Sequence, residues 1–169
     1  MKKLISSVLI FAAIMLFTGC QNTKTDLSDT VTFYYIHNEP AYGTLHGIMA
    51  ANVIELDDPQ PNYDVLLDQY LGGHADEDCI SPFPSGTKLE NLEIGNEKAQ
   101  LVLSPHMSAL SGADLTVAFA CLTRTVIELT DVKTVQIKIM DNQINGSDFV
   151  TFTLNSFAQY DEVQPQSGR

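Results

Sequence analysis

The chain has 169 residues, with 9 Lys and Arg against 21 Asp and Glu and a net charge of −12. That length suits one domain with tails, large enough to fold around its own apolar core without a disulfide or metal. The acidic balance argues against nucleic acid as a partner and against electrostatic docking on anionic lipid, since both draw on clustered Lys and Arg. An apolar content of 44% with 18% charged residues belongs to a globular chain, and the absence of Trp weighs against an aromatic sugar platform.

Met1-Lys2-Lys3 is a short basic start, and Leu4 to Phe17 is almost wholly apolar. The run falls below the roughly 20 residues of a membrane-spanning helix and has the form of a signal-peptide core. Leu16-Phe17-Thr18-Gly19-Cys20 then places small residues before a cysteine. This resembles a bacterial lipoprotein signal, which implies cleavage after residue 19 and a diacylglyceryl group on Cys20. Phe17 stands where that motif prefers Leu. An ordinary signal peptide and an uncleaved anchor are the alternatives. Loss of residues 1–19 would leave seven basic residues against 21 acidic, a net −14. Residues 20–29 read as a polar tether, 30–160 as the folded unit and 161–169 as a loose tail.

Within that unit, Val31 to Ile36 is β-branched and aromatic and predicts a strand, stopped by Asn38-Glu39-Pro40. Leu45 to Leu56 predicts a second strand with an irregular middle. Asn62 is placed to cap a helix whose Tyr63, Leu66, Leu67, Tyr70 and Leu71 share one face, closed by Gly72-Gly73. Leu89–Ile94 and Lys98–Leu103 predict a hairpin about Gly95-Asn96. Ser111-Gly112-Ala113-Asp114 has the form of a capping box ahead of Leu115, Ala118, Phe119, Leu122, Val126 and Leu129, which recur at helical spacing. Val135, Ile137 and Ile139 alternate with polar residues, and Asn145-Gly146 turns into a last strand over Asp148–Leu154. The expected class is α+β, with the order β-β-α-β-β-α-β-β. A mixed sheet of about five to six strands would carry two helices packed on one face of a single domain.

Leu66-Leu67-Asp68-Gln69-Tyr70-Leu71-Gly72-Gly73, Pro84-Ser85-Gly86-Thr87-Lys88-Leu89, the strand Glu97 to Ser104 and the segment Val132 to Ile137 occur in order. Together they resemble the GerMN domain over about Thr30 to Asn145. His74 follows Gly73 where that family usually has Pro, and the loop Ala75–Ser81 is unusually acidic. The resemblance implies a non-catalytic envelope module of the kind found in sporulation and germination lipoproteins. It would be held at the outer face of the bacterial cytoplasmic membrane through Cys20, with an envelope protein or further copies of itself as partner.

Three groups of residues bear on chemistry. His74, Asp76, Glu77, Asp78 and Cys79 crowd one loop but match no metal-binding spacing, so no metal or other cofactor is expected and the loop reads as solvated, with weak cation binding as the alternative. Cys79 and Cys121 form an even pair that outside the membrane either bridges as a disulfide or stays as two thiols. No catalytic residue is assigned, because neither thiol sits in a nucleophile signature and no serine-hydrolase, zinc-protease or phosphate-loop motif occurs. Tyr34, Tyr35, Tyr42 and His46 are the clustered candidates for binding a small molecule or cell-wall fragment, the alternative function, against a reading as strand-packing residues.

Overall fold

The computed structural model describes residues 30–38, 47–56, 62–73, 78–144 and 146–160. Cys20, the leader and tether, Tyr42, His46, His74 with residues 75–77 of the acidic loop, and the 161–169 tail lie outside these residues. β1 (Thr30–His37) and β2 (Met49–Glu55) run antiparallel with Tyr34 opposite Ala51. The irregular Met49-Ala50-Ala51 is therefore regular strand. A two-residue β3 (Cys79–Ile80) pairs with the end of β1, Cys79 lying opposite His37. So short a strand carries no periodicity and is invisible in the sequence.

α1 (Tyr63–Leu71) begins where the Asn62 side chain accepts from the backbone N–H groups of Asp64 and Val65 at 3.0 and 3.4 Å. It buries Leu67, Tyr70 and Leu71. Of the two closing glycines only Gly73 is left-handed, at φ +85°, while Gly72 stays helical at φ −65°. The hairpin of β4 (Leu89–Gly95) and β5 (Lys98–Leu103) turns through Asn96 and Glu97, both at positive φ, rather than through Gly95. Two such residues make the primed turn that suits the twist of a hairpin.

A 3₁₀ turn at Pro105–Ala109 leads to α2 (Gly112–Thr130). Ser111 stands at the N-cap of α2, but its side chain makes no capping hydrogen bond, so the expected capping box does not form. Gly112 at φ +58° bends the chain between Ser111 and the first regular turn. β6 (Thr134–Ile139) lies parallel to β5, with α2 as the crossover. The last strand, β7 (Val150–Phe152), is shorter than expected, and 3₁₀ turns follow over Leu154–Tyr160.

The class is α+β, as the sequence indicates, but the strands form two sheets: β2-β1-β3 and β4-β5-β6-β7. The division has a local cause on the side of β1 away from β2. There the N–H of Tyr34 donates to Thr125 Oγ1 of α2 at 2.9 Å, and the carbonyl of Tyr34 accepts from the Tyr70 hydroxyl of α1. Two helix side chains thus occupy the positions that a further strand would bond. One apolar core runs through both sheets, with Ala99, Leu101 and Leu103 of β5 and Val135, Ile137 and Ile139 of β6 on its inner face. The opposite face of the second sheet is polar. Gln100 donates to Gln136, which donates to Thr151, along one line of paired residues.

Candidate functional site

The two described tyrosine candidates, Tyr34 and Tyr35, do not converge, and Tyr42 and His46 lie outside the described residues. Neighbours in a strand point to opposite faces, and Tyr35 is fully buried with its ring 5.2 Å from that of Tyr70. Tyr34 turns outward, where its hydroxyl donates to Glu128 at 2.5 Å and its ring lies 5.1 Å beneath the Arg124 guanidinium. Burial, and then the Glu128 carboxylate, push its phenol up to about 12. Tyr70 is surrounded by the rings of Phe33, Tyr35 and Phe83 at 4.9 to 5.2 Å, so its aromatic body holds α1 to β1. Pairs of this kind contribute roughly 0.5–1.5 kcal/mol beyond their burial.

Cys79 and Cys121 are thiols here, with no disulfide between them. Cys121 is completely enclosed, its Sγ 3.6 Å from the carbonyl of Tyr35, and burial raises its pKa to about 12. A thiol in that state is a packing group, since the thiolate is the reactive form. Ser104 Oγ lies 3.3 Å from His106 Nδ1, a pairing the sequence reading did not include. Ser104 is buried and its oxygen already accepts the Lys88 N–H at 3.0 Å, so the pair fastens the start of β4 to the end of β5. Among the described residues no group of three His, Cys, Asp or Glu could hold a metal ion.

The feature that faces outward is a groove of about 730 Å³ between α1 and β4. The helix side contributes Asp64, Val65 and Asp68, and the strand contributes Leu89, Glu90 and Leu92. Asp68 Oδ1 accepts the backbone N–H of Leu89 at 3.2 Å and joins the two walls. Pairing of β4 with β5 slips between Leu89 and Asn91, which makes Glu90 the extra residue of a β-bulge. A bulge turns its strand and re-aims a side chain. Here Glu90 reaches the same groove as Asp64 and Asp68. Among the described residues the lining holds three carboxylates and no cation. A second hollow, of about 320 Å³, lies between the start of α2, β7 and the last turn, lined by Leu115, Thr116, Phe119, Ile144, Phe152 and Phe157.

Sequence reasoning missed both. One signal for the groove was available: Val65 is an apolar residue off the buried stripe of α1, and it is 61% exposed. The acidic residues of its walls look like an ordinary solvated surface until α1 and β4 are brought together.

The family described as sporulation and spore germination matches residues 32–145. The chain belongs to the Germane family. That span runs from within β1 to the turn after β6 and ends before β7, close to the extent of the GerMN resemblance read from the motifs. The fold is similar to the first GerMN domain of the sporulation protein GerM from Bacillus subtilis. The TM-score is 0.52 at 17% identity, over 69% of this chain and 86% of that one. It is also similar to the tandem GerMN domains of the same protein, with a TM-score of 0.51 at 16% identity, over 78% of this chain. The chain spans about half the tandem, 48% of its length. No curated protein gives a significant match. No helix among the described residues is long and apolar enough to cross a membrane. The Germane domain therefore supplies the α1–β4 groove, and the second hollow draws on β7 and the last turn beyond the family span.

Proposed function

We propose that this protein is a lipid-anchored, non-catalytic module of the bacterial envelope that works by binding other proteins in a process of sporulation or germination. Its anchor is the diacylglyceryl group on Cys20, which holds the domain at the outer face of the cytoplasmic membrane. Membership of the Germane family supports the process. The open edge of β4 beside the groove carries the interaction reading, because an edge strand offers unpaired backbone donors and acceptors to a partner chain. Among the described residues, Cys121 is committed to the core and Ser104 to the β4–β5 junction, which supports the non-catalytic reading.

The test is cross-linking in the native host, followed by membrane purification and mass spectrometry of the tagged protein. Reproducible links from the folded domain to an envelope protein, or between copies, are the expected result. Links confined to the chain itself, with good coverage, overturn the reading. The hollow beside Thr116, Phe119 and Phe157, part polar and part aromatic, favours the second reading, a receptor for a small molecule or cell-wall fragment. Its volume lies at the lower end of ligand sites. Thermal-shift screening against muropeptides and sugars addresses it, since a ligand at a hundredfold over its Kd stabilises by about 2.7 kcal/mol.

A further inference from the structure

We infer that the α1–β4 groove is a docking site for a basic, extended segment of a partner protein, laid alongside β4 as an added strand. The inference rests on the protein-binding reading above and names the surface and the chemistry of the partner. β4 ends its sheet, and beyond the bulge Asn91 to Gly95 pair residue for residue with β5, while among the described residues their other side has no strand. Leu92 and Ile94 stand opposite the buried Leu101 and Ala99 and so belong to the inner face of the sheet. Ile94 nevertheless remains 43% exposed. An added strand would continue that face and cover Leu92, Ile94 and Val65 with alternate side chains.

The charge of the groove selects the occupant. Asp64, Asp68 and Glu90 line it without a cation, and all three are exposed. They do not gather closely enough to hold a metal ion. Carboxylates spread along a groove match positive charges spread along a chain, as in a peptide with Lys or Arg at alternate positions. The protein's own tails do not fit. Residues 20–29 carry Lys24 against Asp26 and Asp29, and residues 161–169 carry Arg169 against Asp161 and Glu162. A second copy is disfavoured because the chain is acidic throughout, at −12.

The experiment measures fluorescence anisotropy of a labelled, end-blocked peptide of alternating Lys and Val with the full chain at low salt. Binding is expected to weaken about fivefold in the double variant Asp64→Asn, Glu90→Gln and to stay unchanged in Asp114→Asn, a carboxylate outside the groove. N-methylation of alternate peptide amides, which removes strand pairing, should abolish it. Equal binding by the double variant, equal binding of a Glu-for-Lys peptide, or no binding overturns the proposal. A photo-cross-linking residue placed at Val65, and separately at Val53 on β2, is then used in the native host. Links from Val65 to a Lys- or Arg-rich segment support the groove. Links to envelope proteins from Val53 alone overturn the groove and leave the protein-binding reading standing, and links from neither position count against both.

Discussion

The hydroxyl of Tyr70 in α1 donates to the carbonyl of Tyr34 in β1, where no strand lies alongside to accept that role. Tyr70→Phe keeps the aromatic packing with Phe33, Tyr35 and Phe83 and removes only the oxygen. It leaves the Tyr34 carbonyl without its partner, which costs about 1–3 kcal/mol. Tyr34→Phe removes the more exposed bond to Glu128 and should cost less than about 1 kcal/mol. Urea denaturation of the two variants, compared with the parent, checks both the size and the order.

Alkaline pH should unfold this protein earlier than its acidic composition suggests. Tyr34 is raised from 10.0 to about 12, Cys121 from 9.0 to about 12, and Tyr70 is raised well above 10.0, in each case chiefly by burial. Each group stays protonated in the folded state at a pH where the unfolded chain releases its proton. Their contribution is therefore complete below about pH 9 and is lost as pH rises from there through 12. Chemical denaturation at stepped pH should show the midpoint falling over that window. Phenolate absorbance should show the Tyr34 and Tyr70 protons released together with unfolding rather than before it.

Glu97 holds φ +60° in the β4–β5 turn, next to Asn96 at +52°. A residue with a Cβ is strained there, and Asn-Gly is the pair that such a turn favours. Glu97→Gly should raise stability by about 0.5–1 kcal/mol. The loss of the fully exposed ion pair with Lys133 changes little. Thermal denaturation at two salt concentrations separates the backbone gain from the lost pair.

Replacing Cys20 with Ser should release the protein from the membrane fraction, as judged by fractionation and by loss of the lipid mass. A Ser variant that stays bound would remove the lipid anchor from the proposed function. In the same material, Cys79 and Cys121 should both alkylate in the unfolded protein without reductant. Cys121 should resist alkylation until the core opens.

Both helices, the β4–β5 and β6 strands and the Asn62 cap were legible in the sequence because each is set by neighbours a few residues away. The stripe Tyr63, Leu66, Leu67, Tyr70, Leu71 and the alternation Val135, Ile137, Ile139 state a period, and a period specifies an element. The capping box failed because Ser111 and Asp114 have the right spacing while Gly112 takes a backbone angle the spacing does not report. The adjacent Tyr34 and Tyr35 looked alike as letters. Their different fates, one facing Arg124 and Glu128 and one sealed beneath Tyr70, follow from which face of β1 met the helices.

The sequence by itself determined the α+β class, the Germane family and the run of elements apart from the two-residue β3, since these depend on local pattern and on motifs in order. Only the tertiary structure decided that the strands divide into two sheets and that α1 lies against β4 with three carboxylates between them. Edge pairing is long-range. Whether β1 gains another strand or the side chains of Tyr70 and Thr125 depends on residues 36 and 91 positions away, and no local periodicity encodes that choice.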